Sequence, residues 1–350
     1  MICPHCDKIL RRRQRSMRTC AHCRRRFALE PKANSLHLHD LRVRTLAERL
    51  SDPGQAGAPP LRYTADQLRM AASRKVLANP DGSSAWLGCM GPVTLFGVFV
   101  GFFALVAQLG ELFVAVVLVV FWVVVICLIG HVATARRRRL SGEPMSASAF
   151  TLWVLDPWVE VYGVQPPGLL PPRPVVDVLP PGPPAALLYC PDPGTIDFLT
   201  ASGIVDRRGV ALIVQGREWP PAALLAADRA VPVLVLHHAD AAGCLVVPRV
   251  RAALPAGTRV IDAGLRPRVA ERLGPPVRLP PDRSLLRELA RTGSVDAAEQ
   301  AWLARGNTLP LAAVRPARLL AAVERALPDG DPDEARAEAV GFMAWPEPAA

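Results

Sequence analysis

The sequence predicts a multidomain chain: an N-terminal cysteine ribbon, a two-helix transmembrane hairpin, and a C-terminal α/β domain with a small parallel sheet followed by helices. Three observations predict it. Two Cys-x-x-Cys pairs stand 13 residues apart at the N-terminus, residues 82–135 carry only one charge, and short apolar runs alternate with helical spacing from Ala185 onward. The 350 residues, 51% of them hydrophobic, suffice for two or three domains with a sizeable core. The same composition excludes a disordered chain, a collagen-like chain and a disulfide-stapled miniprotein.

Residues 1–35 form the first module. Cys3-Pro4-His5-Cys6 and Cys20-Ala21-His22-Cys23 are two knuckles, each of which turns two thiolates toward one ion. The loop they close has almost no apolar core, so a structural zinc on Cys3, Cys6, Cys20 and Cys23 is expected to supply its folding energy. Four thiolates fill the tetrahedral shell, which leaves His5 and His22 as loop histidines facing solvent. Arginines crowd the knuckles at Arg11, Arg12, Arg13, Arg24, Arg25 and Arg26. Phe27 is the only aromatic residue nearby, so base stacking is poorly served. Anionic lipid headgroups, or solubility alone, are the first expected use of these cations, with a protein partner second and nucleic acid third.

Residues 36–83 read as a basic helical segment. Helical spacing covers 40–50 and 64–78, the second opened by a Thr64–Gln67 capping box. Residues 84–135 then form the hairpin, with spans at about 86–107 and 112–135, each long enough for the roughly 20 residues a crossing needs. Glu111 sits in the turn between them. Arg74 and Lys75 precede the first span and Arg136–Arg139 follow the second, so the positive-inside rule keeps both termini cytoplasmic. An integral protein of the cytoplasmic membrane is the expectation, with the lipid bilayer as its first partner. Gly97 and Gly101 permit close helix packing.

Residues 136–184 are read as a juxtamembrane and proline-rich linker. Nine prolines fall between positions 165 and 184, which favours an extended, stiff spacer. Residues 185–281 carry the α/β domain. Strands are expected at 185–190, 209–214, 231–237 and 258–262, with helices near Phe198, over 221–228 and over 242–254. Pro248 is expected to kink or shorten the last of these. Continuous apolar strands alternating with helices predict a parallel sheet covered on both faces. Residues 282–345 read as C-terminal helices, with Trp302, Leu303, Leu319, Leu320 and Val323 covering one face.

Ligands of such sheets sit beyond the carboxyl ends of the strands. The polar residues there make a candidate cation or ligand rim: Asp192, His238, Asp240 and Gly243, with His237 and Asp262 beside them. The charge is uneven. Residues 1–85 hold 17 basic and 7 acidic residues, whereas residues 140–350 hold 20 basic and 23 acidic ones. A nucleic-acid partner is therefore not expected for the C-terminal domain.

The run VLVLHHADAAGCLVVPRVRAAL resembles the strand–DxDxxG–helix segment of Toprim domains, and ALIVQGREWP resembles the strand and turn before it. The likeness covers about residues 185–265 and implies a Toprim/Rossmann-like sheet. In that family a Glu and the two Asp of DxD hold magnesium for phosphoryl chemistry. By position the second Asp is Asp240 and the motif glycine is Gly243, but the first Asp is His238. The Glu position falls on Cys190–Asp192, where only Asp192 is acidic. Magnesium prefers carboxylate oxygen to imidazole, so the departures weigh against that catalysis. The whole chain resembles uncharacterised high-GC bacterial integral membrane proteins that join a zinc ribbon, a membrane hairpin and a cytoplasmic α/β domain.

The reading favoured by the sequence is a membrane-tethered cytoplasmic binding or scaffold protein with structural zinc. Two alternatives stand beside it. One is a metal-dependent phosphoryl-transfer or nuclease-like enzyme using Asp192, His238 and Asp240 with Mg2+. The other is a membrane-linked nucleic-acid binder working through the ribbon arginines.

Overall fold

A computed structural model describes residues 1–78, 122, 125, 144–174, 176–215, 219–226 and 228–327. The chain divides into two compact units, Met1–Lys75 with Glu143–Ala350, and Val76–Gly142. The expected spans at 86–107 and 112–135 lie outside the described residues, apart from Trp122 and Val125. So do Arg136–Arg139 and everything after Leu327. No helix among the described residues is long and apolar enough to cross a membrane.

After the ribbon, α1 (Asp40–Ser51) buries Val43, Ala47 and Leu50 at helical spacing, with the His39 ring accepting the Arg42 amide at its start. α2 (Ala65–Ala78) opens with the capping box read from the sequence. Gln67 Oε1 accepts the Thr64 amide at 2.9 Å and Thr64 Oγ1 accepts the Gln67 amide at 3.3 Å.

Residues 144–170, assigned by composition to the linker, carry helices of their own. α3 (Ala147–Phe150) and α4 (Asp156–Tyr162) are joined by a π turn over Thr151–Leu155. Phe150, Val154, Leu155 and Trp158 are buried. The Tyr63 amide donates to Gly168 O and Tyr63 O accepts the Leu170 amide, while the buried Tyr63 hydroxyl donates to Pro167 O at 2.7 Å. Arg69 Nη1 adds a bond to Met145 O at 3.1 Å. Segments separated by more than a hundred residues are thus hydrogen-bonded to one another.

The sheet follows. β1 (Ala186–Cys190), α5 (Pro193–Ala201), α6 (Ile204–Arg208), β2 (Val210–Val214), α7 (Ala222–Leu225), β3 (Val233–Val235), α8 (Ala241–Ala253) and β4 (Val260–Asp262) alternate along the chain. The strands lie in the order β2-β1-β3-β4, all parallel, with Leu188 opposite Leu212 and Leu234. Side chains alternate between faces. Leu188, Leu212 and Leu234 enter one core with α5, α6 and the C-terminal helices, while Tyr189, Ile213 and Val235 enter the other with α7 and α8. α8 runs unbroken through Pro248. The proline-rich segment ends on the sheet: Val178 exchanges both backbone bonds with Leu212, on the open edge of β2.

α9 (Pro267–Leu273), β5 (Val277–Arg278), α10 (Arg283–Thr292), α11 (Ala297–Ala304), β6 (Asn307–Thr308) and α12 (Pro316–Ala326) complete the described chain. Sequence pattern anticipated helices alone beyond Asp282. β6 interrupts them and pairs antiparallel with β5; two-residue strands are too short to leave a periodic signal. Trp302, Leu303, Leu319 and Val323 are buried as their spacing suggested, and Leu320 packs on the same core.

Candidate functional site

The two knuckles repeat one another in detail. In the first, the Cys3 amide bonds Lys8 O at 3.0 Å and the Asp7 amide returns to Cys3 O at 3.2 Å. In the second, the Cys20 amide bonds Arg25 O at 3.0 Å and the Arg24 amide returns to Cys20 O at 2.9 Å. Asp7 and Arg24, each just after the second cysteine of its pair, both adopt positive φ to tighten the turn. The His5 and His22 amides point at Cys3 Sγ and Cys20 Sγ, at 3.5 and 3.4 Å.

This geometry brings the four sulfurs within 4.8 Å of one another. Cys3 Sγ lies 3.8 Å from Cys23 Sγ, and Cys6 Sγ lies 3.8 Å from Cys20 Sγ. A tetrahedral ion with ligand bonds of about 2.3 Å demands a sulfur–sulfur edge of about 3.8 Å. A disulfide would need about 2.05 Å, and all four cysteines are free. The donor set therefore fits a soft, tetrahedral metal ion. Four thiolates this close cannot all ionise alone. Burial pushes the Cys3 thiol up to about 12, whereas at Cys20 the amides of Cys23 and His22 outweigh burial and bring it down to about 7.

The histidines of the two knuckles differ. His22 is exposed, as expected. His5 is tied down: its Nε2 donates to Arg26 O at 2.8 Å, and its ring lies 6.0 Å from that of Tyr162. Tyr162 in turn donates its hydroxyl to the buried Asp40, which also accepts the Ala28 and Leu29 amides at 2.8 Å. Arg26 pairs with Glu160 at 2.8 Å. The cysteine cluster is thus tied to α1 and α4. Arg11, Arg12, Arg13, Arg24 and Arg25 are exposed, with no carboxylate partner among the described residues.

At the carboxyl ends of the strands, each predicted rim residue has an internal partner. Asp192 caps α5, accepting the Thr195 amide at 3.1 Å and its hydroxyl at 2.5 Å. Asp240 caps α8, accepting the Gly243 amide at 2.6 Å. His238 Nδ1 accepts the Leu311 amide at 3.0 Å. Ala239 exchanges backbone bonds with Leu309 at 3.0 and 3.1 Å, so residues 309–311 lie against the end of β3. Gly243 is required by packing, because a Cβ there would overlap His238 O. The four cysteines are the only group of three or more metal-type ligands brought together among the described residues.

Behind the rim lies a buried charge network that pattern reading only touched. His237 Nε2 is 3.0 Å from Asp262 Oδ1, and its Nδ1 is 2.8 Å from His238 O. A carbonyl only accepts, so Nδ1 carries a proton; against an ionised Asp262, Nε2 carries one too. Burial disfavours the imidazolium, but the hydrogen bond and charge of Asp262, the His238 carbonyl and Asp240 outweigh it and raise the His237 pKa. Burial likewise opposes the Asp262 charge, yet His237, the Gly264 amide and Arg266 hold its carboxyl below the usual range. Arg266 then forks onto buried Glu299 at 2.7 and 3.2 Å. Glu299 also closes a capping box with Asp296. That D-x-x-E spacing ahead of α11 was the one legible signal for Glu299.

No protein-family model matches the chain, and neither a curated protein nor a solved structure matches it.

Proposed function

We propose that the chain is a membrane-tethered binding or scaffold protein, with structural zinc in its ribbon and a non-catalytic α/β domain. The apolar stretches at 86–107 and 112–135 support the tether, and the flanking arginines support cytoplasmic termini. Four thiolates at a tetrahedral edge of 3.8 Å support zinc over harder cations. The exposed Arg11, Arg12, Arg13, Arg24 and Arg25 fit anionic lipid headgroups of the same bilayer.

One observation carries the non-catalytic reading. Asp192, His238 and Asp240, the residues a magnesium-dependent phosphoryl transfer would recruit, each already serve a helix cap or a loop contact. Nor do the three form a group of converging metal-type ligands among the described residues, where only the four cysteines do. The test is a magnesium titration of the full chain in uncharged detergent, followed by NMR and repeated with Asp240→Asn. A flat response in both forms at millimolar magnesium is expected. Saturable shifts at Asp192, His238 and Asp240 that vanish in the variant would establish the enzyme alternative instead. Salt-dependent retention of the full chain on DNA, lost when Arg11, Arg12 and Arg13 become Gln, would establish the nucleic-acid alternative.

A further inference from the structure

Two large apolar side chains stand next to each other, open to solvent, on the π turn between α3 and α4. Leu152 is 58% and Trp153 57% exposed, while Phe150, Val154, Leu155 and Trp158 of the same stretch are buried. One face of this helical run therefore builds the core, and the other is left without a use in the fold. Ser146, Ala147, Ser148 and Thr151 of the run are exposed too, and residues 144–155 carry no charge. Exposed Asp156 is the first acid beyond them, and the next, Glu160, is neutralised by Arg26 and Arg18 at 2.8 and 3.5 Å. A large apolar pair exposed in uncharged surroundings marks an interaction surface.

Its place in the chain points to the occupant. The run begins where the chain enters the folded unit after the second apolar stretch. That entry is pinned: Ser35 Oγ donates to Pro144 O at 3.0 Å, and Arg69 Nη1 donates to Met145 O at 3.1 Å. From Ala147 to Trp153 the helical rise covers only about 9 Å. Eight residues, among them Arg136–Arg139, separate Pro144 from Ala135 at the end of the apolar stretch. Fully extended, they reach about 30 Å. On so short a leash, contact with the bilayer is an intramolecular event at high effective concentration, so two side chains suffice. The side chains also suit the membrane interface, where an indole sets an apolar ring and a polar N–H at headgroup depth and a leucine adds apolar area. A soluble protein partner would have no such leash. We infer that Leu152 and Trp153 anchor the folded unit in the interface of the bilayer that the chain itself crosses, which presupposes the membrane tether proposed above.

The test uses the full chain, labelled with fluorotryptophan, in nanodiscs of phosphatidylcholine with a minority of phosphatidylglycerol. Fluorine NMR reads each indole, assigned by single tryptophan-to-phenylalanine variants. Nitroxide lipids carry the spin label either just below the headgroup or near the end of the acyl chain. The Trp153 signal should broaden most with the shallow label. Trp122, near the middle of the second apolar stretch, should broaden most with the deep label and reports the tether by itself. Buried Trp302 should keep its width. Leu152→Asp should cut the Trp153 broadening at least about threefold, because a carboxylate resists entry into the interface. The buried Trp158 should keep its signal position in that variant; Leu152→Ser serves if it does not. A broadened Trp122 with an unaffected Trp153 would overturn the anchor and leave the tether standing. Both signals unaffected would remove the tether and the anchor with it. Undiminished broadening of Trp153 in Leu152→Asp would also overturn the anchor, since proximity alone would then account for the effect.

Discussion

At Gly264 the chain passes directly over the His237 ring, and a Cβ there would overlap it. Gly264→Ala should therefore cost about 2 kcal/mol or more, because the buried ring has nowhere to move. Urea unfolding would read the loss as a lower midpoint. The same histidine sets a pH signature. Its folded pKa is raised, so its contribution is complete below the unfolded value of about 6.5 and fades as pH rises through the folded value. Asp262 has the opposite sign: its contribution is complete above about 3.9 and fades as pH falls through a depressed folded value. Stability from the pair should peak between these limits. His237→Asn should abolish the decline on the alkaline side, as measured by urea unfolding at a series of pH values.

Helix starts explain why the rim looked like a site. Asp192, Asp240, Asp282 and Asp296 each accept a backbone amide at the head of a helix. In a parallel sheet the helix that follows a strand begins just beyond that strand's carboxyl end, so at Asp192 and Asp240 capping carboxylates and ligand carboxylates occupy the same places in sequence. Asp240→Ala should cost about 1 kcal/mol through the lost cap, and Asp240→Asn or Asp240→Ser should recover most of it. A metal ligand would follow a different order, because serine would not replace a carboxylate there. Thermal unfolding of the three variants separates the two roles. α12 is the contrast among the longer helices, since Arg315 gives it no side-chain cap.

Across the whole molecule, the cysteine cluster is wired into distant parts of the chain. His5 reaches Arg26 and Tyr162, Tyr162 reaches Asp40, and Arg26 and Arg18 reach Glu160. Arg44 lies 5.3 Å from the centre of the Tyr162 ring and 6.0 Å from that of Trp158. Stripping any ion held by the four thiolates should unfold the knuckles and release α4 with them. A strong chelator should increase hydrogen exchange across 156–162 while leaving β1 and β2 protected. Cys6→Ser and Cys20→Ser should each abolish metal binding at the four-cysteine cluster, read by elemental analysis, and reproduce the same exchange pattern. Protection at 156–162 that survives chelation would show that α4 is held independently of the ribbon.

Much of this architecture is legible in local sequence. The knuckle spacing determined the cysteine cluster, and the Thr64–Gln67 box fixed the start of α2. The apolar runs around Leu188, Leu212, Leu234 and Ile261 determined the four parallel strands, because each of these signals depends on residues a few positions apart. Tertiary structure alone decided the rest. Residues 144–170 read as part of the linker, and only the fold placed Trp158 and Tyr162 against α1, since nothing local to 144–170 encodes a partner a hundred residues earlier. β5 and β6 escaped for the same reason: two-residue strands exist only as a pair. Asp192, His238 and Asp240 spelled a possible metal site in sequence. The caps at Asp192 and Asp240 are local, made to amides three residues on, but the Leu311 amide that His238 accepts comes from 73 residues away, and only the folded chain shows that the three do not converge on one ion.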